Sequence, residues 1–225
     1  MKEIFETWRR KLHEKSKEPK KLFIFDFDDT LVNTDGQIIH KDSGNRLDSS
    51  EWEEFKSRNP DVSEKDFDFS EFQMVLNPKP IENILNLMIS KVRSLSPKDK
   101  VVILTARGAW EPIKAYLNDQ FDVDIKIVAV NSPDYSYLDG TGPDRKASWV
   151  KNQLSKGFND IFFWDDSIDN LHAVKSIEKG HPGVSVTAHL VKNGEETAFK
   201  ELKEIEKFQK LVKNKHSRMK KRLIK

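Results

Sequence analysis

The run Phe23-Ile-Phe-Asp26-Phe-Asp28-Asp29-Thr30 packs three acids directly behind an apolar stretch. Side chains alternate faces along extended backbone, so Asp26 and Asp28 point the same way. Two carboxylates held that close repel one another, and a divalent cation between them, or a proton on one, relieves the cost. Oxygen-only donors favour Mg²⁺. Three later segments offer groups suited to a phosphoryl ligand. Val101-Val-Ile-Leu-Thr105-Ala-Arg107 ends in a hydroxyl able to bond a phosphoryl oxygen and a guanidinium able to clamp one with two parallel bonds. Arg107 can equally pair with a structural carboxylate. In Pro143-Asp-Arg-Lys146, the lysine falls near the start of a helix, where it can neutralise charge on a nucleophile and its phosphoryl group. Arg145 and Lys151 are alternative cations for that place. Ile161-Phe-Phe-Trp-Asp165-Asp166 supplies a second acidic pair that can complete a metal site, with Asp169 to cap a helix or support the metal from behind.

These groups need a scaffold that converges them. Leu22–Phe25, Val101–Leu104, Ile125–Val130 and Ile161–Trp164 are continuous apolar runs of the kind expected for strands buried on both faces, and Val184–Val191 is a fifth candidate. Helical patterns at about 81–95, 110–119, 145–155 and 168–178 separate them. Strand alternating with helix predicts an α/β fold, a doubly wound, Rossmann-like open parallel sheet. In such sheets ligands bind beyond the carboxyl ends of the strands, which is where all four candidate segments end.

The stretch 33–79 breaks the rhythm. Gln37–Lys41 between Gly36 and Gly44 suits a small hairpin, Ser49–Arg58 a helix capped by Ser49 or Ser50, and Pro78-Lys-Pro80 closes the segment. A structureless loop of that length is uncommon, so a small cap or flap insertion is expected, with Phe67, Phe69 and Phe72 as its core. The catalytic domain is assigned to 21–194. Residues 1–20 read as an amphipathic helical extension, with Ile4, Phe5, Trp8 and Leu12 at helical spacing. Residues 195–225 read as one long helix; from Lys207 to Lys225 it carries nine Lys or Arg and no Asp or Glu, a possible nucleic-acid contact.

Composition sets the outer limits. The chain has 225 residues, 36% of them hydrophobic, enough for one core. A net charge of +2 argues against nucleic-acid binding by global charge. The lack of cysteine excludes disulfides and thiolate metal sites. No apolar stretch approaches the ~18 residues of a membrane span, and no secretion signal is recognisable, so a soluble cytoplasmic protein is expected.

The four segments, in this order, resemble the haloacid dehalogenase (HAD) superfamily, which carries a DxDxT motif, a strand-end Thr or Ser, a Lys and an acidic pair. The likeness spans roughly residues 22–190. It implies that Asp26 attacks phosphorus to form an aspartyl-phosphate. It implies that Asp28 protonates the leaving oxygen, then deprotonates the attacking water, and gives its backbone carbonyl to Mg²⁺. Thr105 and Lys146 would hold the phosphoryl oxygens and the nucleophile. Asp166 would be the side-chain metal ligand beside Asp26, with Asp165 as the other candidate, because Trp-Asp-Asp stands where the family has Gly-Asp. Members that do not protonate an alkoxide lack an acid at the place of Asp28, so its presence points to a phosphatase or phosphotransferase. Thr105-Ala-Arg107 is similar to the Thr/Ser-Gly-Arg run of polynucleotide 3′-phosphatase domains, where the Arg contacts phosphate. A nucleic-acid 3′-phosphate end, or a nucleotide, is the substrate this suggests. The rival expectation is a phospho-acceptor or assembly protein with a HAD-like fold and no primary catalytic role.

Overall fold

The computed structural model describes residues 19–59 and 61–198. The helix expected within 1–20 and the basic segment 207–225 lie outside the described residues, apart from Pro19 and Lys20.

The body is built on β1 (Lys20–Phe25), β7 (Lys100–Thr105), β8 (Lys126–Ala129), β9 (Phe158–Asp165), β10 (Ser185–Lys192) and β11 (Glu195–Ala198). They form one six-stranded sheet in the order β11-β10-β9-β1-β7-β8. Every pairing is parallel except the last, β10 with β11. The chain adds β7 and then β8 on one side of β1, then crosses to add β9 and β10 on the other. The fold is therefore α/β, doubly wound and mostly parallel, and it fits the HAD-like arrangement expected from the sequence.

The apolar runs are continuous because both faces are covered. Leu22 and Ile24 pack on one face with Val102, Leu104, Ile161 and Phe163, beneath the helices Gly142–Leu154 and Ile168–Lys175. Phe23 and Phe25 turn to the other face with Val101 and Ile103, beneath the helices Glu82–Arg93 and Glu111–Phe121. On that second face Phe25 and Trp164 stack at 4.4 Å between ring centroids, and Trp164 stacks on His189 at 4.9 Å. This aromatic ladder ties β1, β9 and β10 together just below the strand ends.

The insertion leaves the body through a two-stranded stem, β2 (Val32–Asn33) against β6 (Lys79–Pro80). Beyond it, β3 (Ile38–His40) lies between β4 (Arg46–Leu47) and β5 (Phe67–Asp68). A helix, Ser49–Arg58, packs on this small sheet. Its N-cap is Asp48, whose side chain accepts from the Glu51 amide, and not Ser49 or Ser50. Ile38, Trp52 and Phe67 are the buried centre of the flap, with Phe55, Phe69 and Phe72 packed around them.

One expectation is corrected outright. The segment from 195 does not begin as a helix: Glu195–Ala198 is a strand antiparallel to β10. Asn193 and Gly194 both have positive φ, 51° and 79°, and they form the two-residue turn that pairs Lys192 with Glu195. Asn-Gly is the favoured sequence for such a hairpin turn, and that local signal outweighs the helix propensity of Glu-Glu-Thr-Ala. Among the described residues no helix is long and apolar enough to cross a membrane.

Candidate active site

Register carries the acids to one place. Phe25 lies opposite Ile103 on β7 and Trp164 on β9. The next residue out, Asp26, therefore stands beside Asp165, and its amide donates to the Trp164 carbonyl at 2.9 Å. Asp26 continues the face of Leu22 and Ile24, and Asp165 that of Ile161 and Phe163, so both carboxylates turn toward the helix Gly142–Leu154. Near its start the Thr141 hydroxyl donates to the Asp144 carboxylate at 2.6 Å, and Pro143 occupies the first turn, where a missing N–H costs nothing. Lys146 follows on the buried face of the helix.

The Lys146 Nζ donates to Asp26 Oδ1 and to Asp165 Oδ2, both at 2.7 Å. Lys146 is 1% exposed and Asp165 not at all. The other Asp165 oxygen accepts from the Ser167 amide at 2.9 Å and from Asn170 Nδ2 at 2.8 Å, so three protein donors hold this carboxylate. Asp166 differs. Among the described residues no hydrogen-bond donor reaches its carboxylate, and it joins Asp26 and Asp165 in a group whose oxygens lie within 4.8 Å of one another. Ser167, not Asp169, caps the helix Ile168–Lys175.

One ammonium thus faces three carboxyl groups in a buried place. The Asp165 and Asp26 carboxylates outweigh the penalty of burial and hold Lys146 above the usual lysine value, so it is charged. Burial pushes the Asp26 carboxyl up to about 8; Lys146 pulls it back, while Asp165 and Asp28 push it up again. Burial, then Asp165 and Asp26, raise Asp166 well above the usual range. The surplus negative charge calls for a proton or a cation. The donors are all hard oxygens, which fits Mg²⁺.

A measurable consequence follows. Between the ordinary carboxyl value of 3.8 and about 8, folded Asp26 keeps a proton that the unfolded chain has lost. Stability then falls as pH rises through that window and levels off above it. In chelator, the melting temperature of the wild-type protein should fall from pH 5 to pH 8 more steeply than that of Asp26→Asn. Mg²⁺ should raise it more at pH 8 than at pH 5. Equal slopes for the two proteins would contradict this account of the site.

The remaining candidates divide. Thr105 is the last residue of β7, buried, and its hydroxyl accepts from the Arg107 amide at 3.2 Å, closing the turn that leaves the strand. Asp28 and Arg107 form a pair of their own. Arg107 Nε donates to Asp28 Oδ2 at 2.8 Å and Nη2 to Asp28 Oδ1 at 2.7 Å. Thr34 Oγ1 adds a third bond, to Asp28 Oδ1, at 3.1 Å. Arg107 Nη1 donates to two flap carbonyls, Phe72 at 3.0 Å and Met74 at 2.6 Å. The guanidinium expected to clamp a phosphate is therefore engaged with a carboxylate and the flap, between the rings of Phe27 and Phe72. Asp29, with φ of 56°, turns its carboxylate to the Ser49 hydroxyl and is not one of the three clustered acids, though its charge helps to raise Asp166.

Asn170, Ser167 and Thr34 escaped the sequence reading. Ser167 had a recognisable signal, a serine directly before a helical pattern. The carbonyls of Phe72 and Met74 had none.

No protein-family model matches the chain, and no curated protein matches it. Among solved structures, the HAD domain of effector protein Lem4 from Legionella pneumophila aligns over 84% of this chain and 94% of its own, with 19% identity and a TM-score of 0.41. An inactive mutant of the same domain aligns over 84% and 93%, again at 19% identity, with a TM-score of 0.43. The case for a catalytic site rests on the residues at the carboxyl ends of β1, β7 and β9, not on that distant likeness.

Proposed function

We propose that the protein is a Mg²⁺-dependent phosphomonoester hydrolase working through an aspartyl-phosphate on Asp26. The observation that carries this reading is the buried bridge from Lys146 to Asp26 and Asp165, with the Asp166 carboxylate, which no donor reaches among the described residues, beside it. Asp26 Oδ1 is held by Lys146, which leaves Oδ2 to attack phosphorus. The bond from phosphorus to the ester oxygen breaks, and the departing alcohol takes a proton from Asp28. Water then attacks the aspartyl-phosphate, Asp28 takes its proton, and inorganic phosphate leaves with Asp26 restored. Throughout, Lys146 offsets the negative charge at Asp26 and the Thr105 hydroxyl has a hydrogen to give to a phosphoryl oxygen.

Asp26 and Asp166 would hold Mg²⁺ by their carboxylates, with the Asp28 carbonyl, and the ion would supply charge stabilisation for the phosphoryl group. Asp165 serves Lys146 instead, since all its acceptor contacts are internal. The engagement of Arg107 by Asp28 takes away the support it lent to a nucleic-acid 3′-phosphate, so the substrate class is phosphomonoesters at large.

The test is to incubate the protein with Mg²⁺ and a panel of aryl phosphates, sugar phosphates, nucleotides and 3′- or 5′-phosphorylated oligonucleotides. Phosphate release should require the metal, and acid quenching should trap a phosphoryl group on the peptide bearing Asp26. A phosphoryl group that persists on Asp26 for hours without turnover would favour the phospho-acceptor alternative. No release from any of these esters would defeat the hydrolase reading.

A further inference from the structure

Arg107 spends four of its five donor hydrogens on acceptors from two different parts of the molecule. Nε and one Nη2 hydrogen fork onto Asp28 of the body, and Nη1 serves the carbonyls of Phe72 and Met74 on the flap. It is 4% exposed and sits against Phe27 from the body and Phe72 from the flap. A buried arginine with these contacts has one Nη2 hydrogen left for any ligand. The flap backbone it grips is itself braced, since Glu71 accepts from the Gln37 amide at 2.9 Å and pairs with Arg46.

The fork also fixes Asp28. Nη2 and the Thr34 hydroxyl occupy Oδ1, while Oδ2 accepts only from Nε. A carboxylate oxygen has two lone pairs, so one position on Oδ2 is left to give or take a proton.

We infer that Arg107 is a positioning residue that makes the seating of the flap and the aiming of Asp28 a single event. The inference deepens the phosphohydrolase reading and rests on it. With the flap seated, Phe72 and Met74 hold the guanidinium, and the guanidinium holds Asp28 with its free Oδ2 position toward the departing oxygen. With the flap lifted, Arg107 loses two acceptors and Asp28 loses its fixed aim.

Two variants test this, Arg107→Ala and the space-filling Arg107→Lys, which keeps the charge but cannot fork. Circular dichroism first confirms which of them folds. The activity readout is kcat/KM, which covers only the steps through departure of the alcohol, on an alkyl phosphate and on a nitrophenyl phosphate. An alkoxide needs the proton and a nitrophenolate does not. Arg107→Lys should lower kcat/KM roughly 10- to 100-fold on the alkyl ester, part of the roughly 10²- to 10⁴-fold that a well-placed general acid contributes. It should lower it less than about threefold on the nitrophenyl ester. Inhibition by inorganic phosphate should be unchanged. An equal fall on both esters with weaker inhibition by phosphate would make Arg107 a phosphate ligand and overturn the inference.

Hydrogen exchange reads the flap without turnover: amides of residues 69–76 should exchange at least tenfold faster in Arg107→Lys than in the wild type. Unchanged exchange overturns the coupling even where the activities agree. If the wild type hydrolyses neither ester, the hydrolase reading fails, and exchange still decides whether Arg107 fastens the flap.

Discussion

Replacing Asp26 by Asn should abolish turnover, lowering it by at least ~10⁴-fold, because the amide cannot serve as the nucleophile. The fold should survive. The amide is the same size, Lys146 keeps Asp165 as a partner at 2.7 Å, and one charge leaves a group that holds too many. Without metal at pH 8, the variant should melt at or above the wild-type temperature. Turnover and melting therefore move in opposite directions, which separates loss of chemistry from loss of structure. Activity within tenfold of the wild type would remove Asp26 from its proposed role.

Replacing Lys146 by Met should damage both. The lysine is buried and bridges two carboxylates, and removing one partner of a buried ion pair costs about 3–5 kcal/mol. For a chain of this size that lowers the melting temperature by ~10 °C. The loss should be greatest at high pH, where the carboxylates must ionise without a counter-charge. Adding Asp165→Asn to Lys146→Met should restore part of the stability, because the amide keeps the acceptor for Ser167 and carries no charge. It should restore no activity, since the charge facing Asp26 is still absent. A double variant no more stable than the single one would show that the two residues are not coupled.

Much of this was readable in the chain. The central strands stand out as uninterrupted apolar runs because both faces of the sheet are covered, and each candidate acid or hydroxyl comes where such a run stops. Lys146 was one of three neighbouring cations, but the helix period picks it out: Trp149, Val150 and Gln153, at spacings of three, four and seven, share its buried face. The hairpin at Asn193-Gly194 was also written in the sequence, as an Asn-Gly pair that outweighs the helix-forming residues after it.

What the sequence could not convey has a common cause. Arg107 meets Asp28 across 79 residues and meets the flap through backbone carbonyls, a group every residue has. The flap strands are two or three residues long, too short for any period to show, and are set by the contacts of Trp52 and Phe67. The split between Asp165 and Asp166 turns on Asn170 and Ser167 reaching one carboxylate and not the other.

The two basic residues of the site belong to different halves of the molecule's economy of change. Lys146, Asp26 and Asp165 are all borne by the sheet and one helix beside it, and they bond to one another. The insertion enters and leaves through one short stem and meets Asp28 directly through Thr34 and, by way of the Phe72 and Met74 carbonyls, through Arg107. A graft that keeps the stem, Thr34 and a backbone carbonyl pair within reach of Arg107 can therefore exchange the rest of the insertion and leave these contacts to Asp28 intact. On the proposed hydrolase reading, most of the insertion can then be rebuilt while Asp26, Lys146 and Asp165 keep their places.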